Sequence, residues 1–250
     1  MSELQQPASA AITAIHRHYE DLHAQCGMIL RTSVSGTNEP KIAQSHQFAQ
    51  EMELWTTVLQ SRRECALLKV ASYEYQFALL ALTQGHYRHA FKGLRLVLEL
   101  TLQTAKLSTN EIELREWLQN KKDTVWSAII DSQNGVFSLR FARCFFPSLE
   151  MHLASYGALA EQVYRECSEC VHGNMPKHVP LPDSLTFSVD TFDLWHTKAG
   201  AVALIFHFIL AMRYLLELSS SEIQSLEATL LDRVGHVQEI RVAIGGPKEE

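Results

Sequence analysis

The chain has 250 residues, of which 46% are apolar and 20% charged, a composition that excludes a disordered or fibrous protein. Its 22 Lys and Arg residues against 28 Asp and Glu residues give a formal net charge of −6. A mildly acidic chain does not bind nucleic acid or anionic lipid through its overall charge, so phosphate recognition would need a local basic patch. No repeat or linker divides the sequence, and we expect a single helical domain over residues 1–250.

Targeting and redox features favour a cytoplasmic protein. The first eleven residues lack the basic segment and apolar core of a signal peptide. Five dispersed cysteines favour free thiols in a reducing compartment over a disulfide framework. The longest uncharged run of the apolar C-terminal region, residues 199–212, is too short to span a bilayer comfortably. It therefore predicts a buried core helix, and we expect no membrane partner.

The first half of the chain reads as long helices. Apolar side chains in residues 8–30 recur at spacings of three and four, the stripe of an amphipathic helix: Ile12, Ile15, Tyr19, Leu22 and Cys26. Gly85 interrupts the helical pattern, and Ser108–Glu111 has the spacing of a capping box that opens a short helix. The predicted elements in order are helix 8–30, loop 31–40, helices 42–60 and 61–83, and helix 86–107.

The second half predicts further helices around one irregular segment at 173–190. Pro147 ends an aromatic-rich element, Ser148 is expected to cap a long helix to His172, and Ser219 with Glu222 forms a second capping box. The predicted elements are 124–132, 137–146, helix 148–172, an optional strand 185–189, and helices 191–218 and 219–244. The expected fold is an all-α bundle of seven to nine helices, with helices 8–30 and 219–244 packing on its core or on a partner.

The helix that ends at His172 carries the most specific pattern. Seven apolar residues recur at alternating spacings of four and three, which predicts a buried seam: Leu149, Leu153, Tyr156, Ala160, Val163, Cys167 and Cys170. At 100° per residue, four polar residues fall on the opposite side of this helix. We call this set the polar ridge: Glu161, Arg165, Ser168 and His172.

Two residues of the polar ridge could act together on a phosphate. Arg165 and His172 are two helical turns apart, so Arg165 could hold phosphate oxygens while His172 transfers a proton at a ribose hydroxyl. Ser168 and Asn174 could assist by hydrogen bonding. The spacing alone carries no weight, because a similar pair at Arg17 and His23 shows that chance supplies it.

A purely structural interpretation explains the same residues. Glu161 and Arg165 have the spacing and order of a favourable ion pair on a helix surface. An imidazole at His172, in the last turn, would interact with the negative helix end, and Gly173 would cap it. A solvated helix end therefore remains an alternative to chemistry.

The segment from Tyr164 to Gly173 resembles the Arg-x4–6-His motif of HEPN-type helical domains. Residues 85–99 look like an earlier helix of related uncharacterised bacterial helical proteins, and the resemblance covers about residues 60–218. It implies a small helical bundle, often a homodimer, whose Arg and His face a cleft between the two copies. Many such domains are metal-independent endoribonucleases of toxin–antitoxin or phage-defence systems, and others only bind. Glu166 departs from the motif, where a polar residue such as Asn often follows the Arg.

Further charged and sulfur-containing residues allow other interpretations. Arg88, Lys92, Arg95 and Glu99 share one face of helix 86–107. Arg88 and Arg95 could bind substrate, with Glu99 orienting Arg165 or Arg95, or the face could simply be solvated. Cys167 and Cys170 fall on the seam while His172 points the other way, so an intact helix cannot aim all three at one zinc ion.

The sequence therefore predicts a metal-independent endoribonuclease without metal or other cofactor, with Arg165 and His172 as its catalytic residues. The alternative is a non-catalytic accessory or adaptor that uses the same scaffold to bind a protein or nucleic acid. We expect a homodimer, with RNA or a protein of the same system as its other partner.

Overall fold

A computed structural model describes residues 6–172 and 177–247, which form eleven α-helices and no strand. The all-α prediction is confirmed. The helices are α1 (Gln6–Ser33), α2 (Glu39–Val58), α3 (Cys65–Thr83), α4 (Tyr87–Leu107), α5 (Glu111–Leu118), α6 (Trp126–Ile129), α7 (Leu139–Phe145), α8 (Leu153–His172), α9 (Val189–Tyr214), α10 (Ser220–Val234) and α11 (Gln238–Ala243). Short 3₁₀ turns lie at Gly36–Asn38, Pro147–His152 and Leu215–Glu217.

Helices α4 and α9 form the centre of the bundle. Helix α4 contacts α3, α8 and α9, whereas α9 also contacts α2, α8 and α10. The buried side chains form one continuous cluster from α2 to α11. The segment Val189–Glu217 is long and apolar enough to cross a membrane, but 78% of its most apolar window is buried inside the protein. This burial is what the core helix of a bundle shows.

The predicted ends of several elements need correction. Asn110, not Ser108, is the N-cap of α5, since its side chain accepts a hydrogen bond from the Glu113 N–H at 3.2 Å. Ser108 instead ends α4 and donates to the Ala105 carbonyl at 2.7 Å. The predicted loop 31–40 is shorter, because α1 continues to Ser33 and α2 begins at Glu39.

Other corrections concern the second half. Ser148 does not cap α8, because a 3₁₀ turn over Pro147–His152 precedes this helix. The optional strand 185–189 is wrong: Ser188 caps α9 by accepting from the Thr191 N–H at 3.3 Å. Within the described residues no second strand exists to pair with it. The count of seven to nine helices is too low, partly because the predicted helix 219–244 is divided into α10 and α11.

The capping box of α10 is confirmed. The Ser219 hydroxyl accepts from the Glu222 N–H at 3.4 Å, and the Glu222 carboxylate accepts from the Ser219 N–H at 2.7 Å. From this cap, α10 packs against α2 and α9 of the same chain. Its buried residues are Leu226, Leu230 and Val234.

Helix α1 is held by its C-terminal part. The Ser33 hydroxyl donates to the Thr83 carbonyl at 3.2 Å, and Cys26 Sγ lies 3.6 Å from His86 Nε2. Ile29 is buried against Gly85, where a Cβ atom would come within 2.8 Å of Ile29 Cδ1. Gly85 also has a φ of +80°, a backbone region that favours glycine. Glycine is therefore needed both for the turn before α4 and for the docking of α1.

We predict that Gly85→Ala lowers the free energy of unfolding by about 1–3 kcal/mol, because it combines an unfavourable φ with a steric clash. Gly200 is the matched control, since it lies within α9 and a Cβ atom there would meet nothing within 4 Å. Gly200→Ala should change stability by less than about 1 kcal/mol, in the stabilising direction. Urea unfolding measures both, and equal effects of the two substitutions would contradict the role of Gly85.

A buried polar cluster joins α2, α9 and α10. The Glu51 carboxylate accepts hydrogen bonds from Arg233 Nε at 3.0 and 3.1 Å and from Gln47 Nε2 at 3.0 Å. His207 is fully buried, with Nδ1 2.7 Å from the Ala203 carbonyl and Nε2 3.5 Å from Glu51. Burial lowers the pKa of His207 to about 3, and burial outweighs Arg233 to raise the pKa of Glu51.

A second, half-buried imidazole lies on the same helix. His196 Nδ1 is 2.7 Å from the Ser45 hydroxyl, and burial, helped by the nearby Lys41 charge, lowers the pKa of His196 to about 4. Both imidazoles are therefore neutral in the folded state at pH values where the unfolded chain, with a His pKa of about 6.5, takes up protons.

Stability should fall as the pH drops below about 6.5, by about 2 kcal/mol at pH 5 for each of these two imidazoles. Urea unfolding at pH 7 and pH 5 measures the difference. His207→Phe should remove about half of this histidine contribution, whereas substitution of the exposed His46 by Ala should leave the loss unchanged. If His207→Phe lost as much stability between pH 7 and pH 5 as the wild type does, the assignment of this loss to His207 would be wrong.

Candidate functional site

Helix α8 and the 3₁₀ turn before it have the predicted two-sided character. The seven seam residues, from Leu149 to Cys170, are all buried. On the opposite side Glu161, Arg165 and His172 are exposed and Ser168 is half-buried. The polar ridge is therefore accessible along the last three turns of α8.

The basic residues of the polar ridge, Arg165 and His172, are not engaged by other described residues. Among the described residues, neither Arg165 nor His172 has a side-chain hydrogen bond or an ion pair, and Glu161 forms no ion pair with Arg165. The Ser168 hydroxyl donates to the Tyr164 carbonyl of its own helix at 2.6 Å, which leaves its lone pairs available. Asn174 and the predicted cap Gly173 lie outside the described residues.

Glu166, which departs from the HEPN-type motif, points away from the ridge. It is buried and forms an ion pair with Lys198 of α9, and it accepts a hydrogen bond from Gln162 Nε2 at 2.8 Å. Burial alone would raise its pKa, but the Lys198 and Gln162 hydrogen bonds lower it on balance. Glu166 is thus an ionised carboxylate that ties α8 to α9 and places no negative charge beside Arg165.

Arg95 is engaged in a stack between α4, α8 and α6. Its Nη2 lies 3.2 Å from Glu99 Oε1 and also donates to the Tyr164 hydroxyl. The guanidinium lies 4.3 Å from the Tyr164 ring centroid, and the other face of that ring stacks on Trp126 at 3.7 Å. Glu99 orients Arg95, as one interpretation of the sequence expected. The side chain of Arg95 is 17% exposed, so it joins helices here and offers little surface to a substrate.

Arg88 lies at the end of α8 that carries His172. Its Nη1 donates to the Cys170 carbonyl at 3.3 Å, in the last helical turn. The positive charges of Arg88 and Lys92 both act on the buried Cys170 thiol, which places the two cations near this end of α8. A cation at a helix C-terminus is favourable because it meets the negative end of the helix dipole. Arg88, Lys92 and His172 therefore concentrate basic groups at one place in an acidic chain.

Five grooves on the surface of the described chain lie away from Arg165 and His172. Their volumes are between about 290 and 500 Å³, and neither residue lines any of them. A groove of about 290 Å³ lies beside Arg88, between residues 85–89 and 181–185. The four predicted substrate-binding residues are thus dispersed: Ser168 is on the ridge, Arg88 is near its end, Arg95 is in the stack, and Asn174 is not described.

Sequence reasoning missed the residues that fix α8 in place. Tyr164, Trp126 and Lys198 hold the helix through a ring stack and a half-buried ion pair. Trp126 and Lys198 lie more than thirty residues from their partners, so helical spacing could not connect them. In the sequence, the one indication of these contacts was the position of Tyr164 on α8, between the buried seam and the polar ridge.

The cysteines of α8 are packed in the core. Burial raises the pKa of Cys167 to about 12 and that of Cys170 to about 11. Among the described residues no three His, Cys, Asp or Glu side chains are grouped so that they could hold a metal ion. Comparison of the chain with protein-family models, curated proteins and solved structures gave no match.

We predict that Cys144, the most exposed thiol, reacts fastest with a chromogenic disulfide reagent, followed by the half-buried Cys26. Three buried thiols should react only after unfolding: Cys65, Cys167 and Cys170. Counting the released chromophore in native and urea-denatured protein measures this, and Cys144→Ser should lose the fastest phase. Rapid modification of Cys167 in native protein would contradict the packing of α8.

Proposed function

We propose that the protein is a metal-independent endoribonuclease of the HEPN type, active in the cytoplasm as part of a toxin–antitoxin or phage-defence system. One observation carries the proposal: Arg165 and His172 are exposed on one line of α8 and neither is engaged by another described residue. Two other basic residues nearby are paired, Arg95 with Glu99 and Lys198 with Glu166. Within the part of the chain that the structure describes, the ridge thus keeps a guanidinium and an imidazole without partners.

The two side chains supply the groups that RNA cleavage needs. At a rise of 1.5 Å per residue their Cα atoms are about 10 Å apart along the helix axis, a gap that the two side chains and a phosphodiester group bridge. The Arg165 guanidinium holds the non-bridging oxygens as negative charge develops on them. The His172 imidazole takes the proton of the ribose 2′-hydroxyl as its oxygen bonds to phosphorus. The bond from phosphorus to the 5′ oxygen then breaks, and the protonated imidazole returns the proton to that oxygen.

The surroundings of the ridge support an anionic substrate. Arg88 and Lys92 add positive charge at the end of α8 that carries His172, while the carboxylate of Glu166 is turned toward α9. A single-stranded RNA that crosses the end of α8 would meet Arg88 and Lys92 there, together with the carboxylate of Glu169, which is engaged by His178. Ser168 can accept a hydrogen bond from a ribose hydroxyl through its free lone pairs.

A second function is favoured by the openness of the ridge. A ridge whose Arg165 and His172 are exposed does not exclude water from a reacting phosphate, and this suits a non-catalytic adaptor that binds RNA or a protein. The adaptor and the nuclease share the same residues, so binding and cleavage must be measured separately.

We expect purified protein to cleave single-stranded RNA in the presence of EDTA, and Arg165→Ala or His172→Ala to slow cleavage by about a hundredfold or more. The matched control is Arg17→Ala/His18→Ala, which removes the same residue types from an exposed part of α1. Cleavage is followed on end-labelled RNA, and binding on a non-cleavable 2′-deoxy analogue. Binding that depends on Arg165 without cleavage would establish the adaptor. Equal behaviour of wild type and Arg165→Ala/His172→Ala in both assays would refute both functions.

A further inference from the structure

The N-terminal part of α1 projects from the bundle. Every residue from Ile12 to Asp21 is exposed, although Ile12, Ile15 and Tyr19 form an apolar stripe with exposed fractions of 56%, 55% and 66%. Further along the helix, Gln25 donates to the Leu185 carbonyl and Cys26 lies against His86, and these contacts join α1 to the bundle. A short helical segment without tertiary packing is only marginally stable in water, so this stripe requires a covering surface.

Helix α3 carries a second apolar stripe that is also uncovered. Val70, Tyr73, Phe77 and Leu80 are exposed by 42%, 64%, 64% and 47%. The remainder of α3 is committed to the bundle, since Ala71, Tyr75, Ala78 and Leu82 are buried. Four large apolar side chains in a row on a solvent-facing helix mark an interaction surface.

The two stripes match each other. Ile12, Ile15, Tyr19 and Leu22 follow one another at spacings of three, four and three, and so do Val70, Tyr73, Phe77 and Leu80. This is the spacing at which two helices interlock their side chains along a seam. We propose that the protein forms a two-fold dimer in which the α1 stripe of each copy packs on the α3 stripe of the other.

The area available fits a stable dimer. The side chains of the two stripes expose on the order of 100 Å² each, which gives about 800 Å² for each copy when both stripes are covered. That value is close to the roughly 800 Å² that each partner buries in a stable protein–protein interface. A two-fold axis makes each copy contribute both surfaces, so the contact closes without leaving a stripe exposed.

Charge also permits this pairing. His16, His18 and His23 flank the α1 stripe, whereas Lys69 and Glu74 flank the α3 stripe. No permanent charges of the same sign therefore face each other along the seam. One chain carries both the α1 stripe and the α3 stripe. A second copy of the chain is therefore the partner that can cover both.

The dimer surface is distinct from the polar ridge. Helix α4 lies between α3 and α8, with Gly93 against Ala78 on one side and Arg95 against Tyr164 on the other. This dimer therefore does not place the polar ridge at its interface, unlike the cleft between copies that the HEPN resemblance implies, and association and ribonuclease activity are tested by separate experiments.

Sedimentation equilibrium over a range of concentrations tests the proposal. We expect a dimer for the wild-type chain, and at least a hundredfold weaker association for Tyr19→Lys and for Phe77→Lys. Ile112→Lys is the matched control, because Ile112 of α5 is 72% exposed but lies on neither stripe. Circular dichroism at a concentration below dissociation checks that the core helices remain folded. A wild-type monomer at all concentrations would overturn the proposal, as would unchanged association in both stripe variants.

Disulfide trapping distinguishes this dimer from one that pairs α1 with α1. In a Cys26→Ser/Cys144→Ser background, one chain carries Tyr19→Cys and a second carries Phe77→Cys. We expect a cross-linked dimer under mild oxidation when the two chains are mixed, at a higher yield than for either chain alone. Efficient cross-linking of the Tyr19→Cys chain alone, with no gain on mixing, would overturn the proposal.

Discussion

The burial of α4 and α9 in the middle of the bundle is the constraint on which the other helices depend. Helices α2, α3, α8 and α10 each contact at least one of these two. Residues 205–214 of α9 are buried on all sides, so neighbouring helices must surround this segment. The seam of α8 is committed to this core, and its polar ridge therefore faces outward. The accessibility of Arg165 and His172 is thus a consequence of core packing, whatever chemistry they perform.

Much of this architecture could be predicted from the sequence, because apolar residues that recur at helical spacing indicate the buried face of a helix. The pattern from Leu149 to Cys170 predicted the buried seam, and Ser219 with Glu222 predicted the start of α10. Predictions were wrong where two residues close in sequence are both suitable N-caps, as Ser108 and Asn110 are. Because α4 continues to Leu107, Ser108 ends that helix and Asn110 caps α5. Apolar residues before α9 suggested a strand, but a strand needs a neighbour that the described chain does not provide.

The candidate site was only partly predictable, because side chains from distant segments decide what each charge does. Helical geometry places Arg165, Ser168 and His172 on one side of α8, and the structure agrees. The same geometry says nothing about Lys198, which pairs with Glu166, or about Trp126, which stacks on Tyr164. Among the described residues Arg165 has no side-chain partner, whereas Arg95 is engaged by Glu99 and Tyr164. Whether a charged side chain is available to bind a ligand therefore depends on partners that are distant in the sequence. The spacing of residues along one helix does not reveal those partners.

The buried polar cluster and the exposed apolar stripes are both exceptions to the rule that apolar side chains are buried and polar side chains are exposed. They have different consequences for the protein. Glu51, Arg233 and His207 are polar groups kept inside, and removing Glu51 would leave the buried Arg233 without its carboxylate partner, so the cluster favours one arrangement of α2, α9 and α10. Tyr19 and Phe77 are apolar groups kept outside, and a polar residue at either position would cost the folded monomer little. The stability of the core therefore explains the buried polar cluster but does not explain the exposed apolar stripes. An apolar stripe that the fold does not need is accounted for by association, and matched spacing on α1 and α3 makes a second copy of the chain the simplest partner.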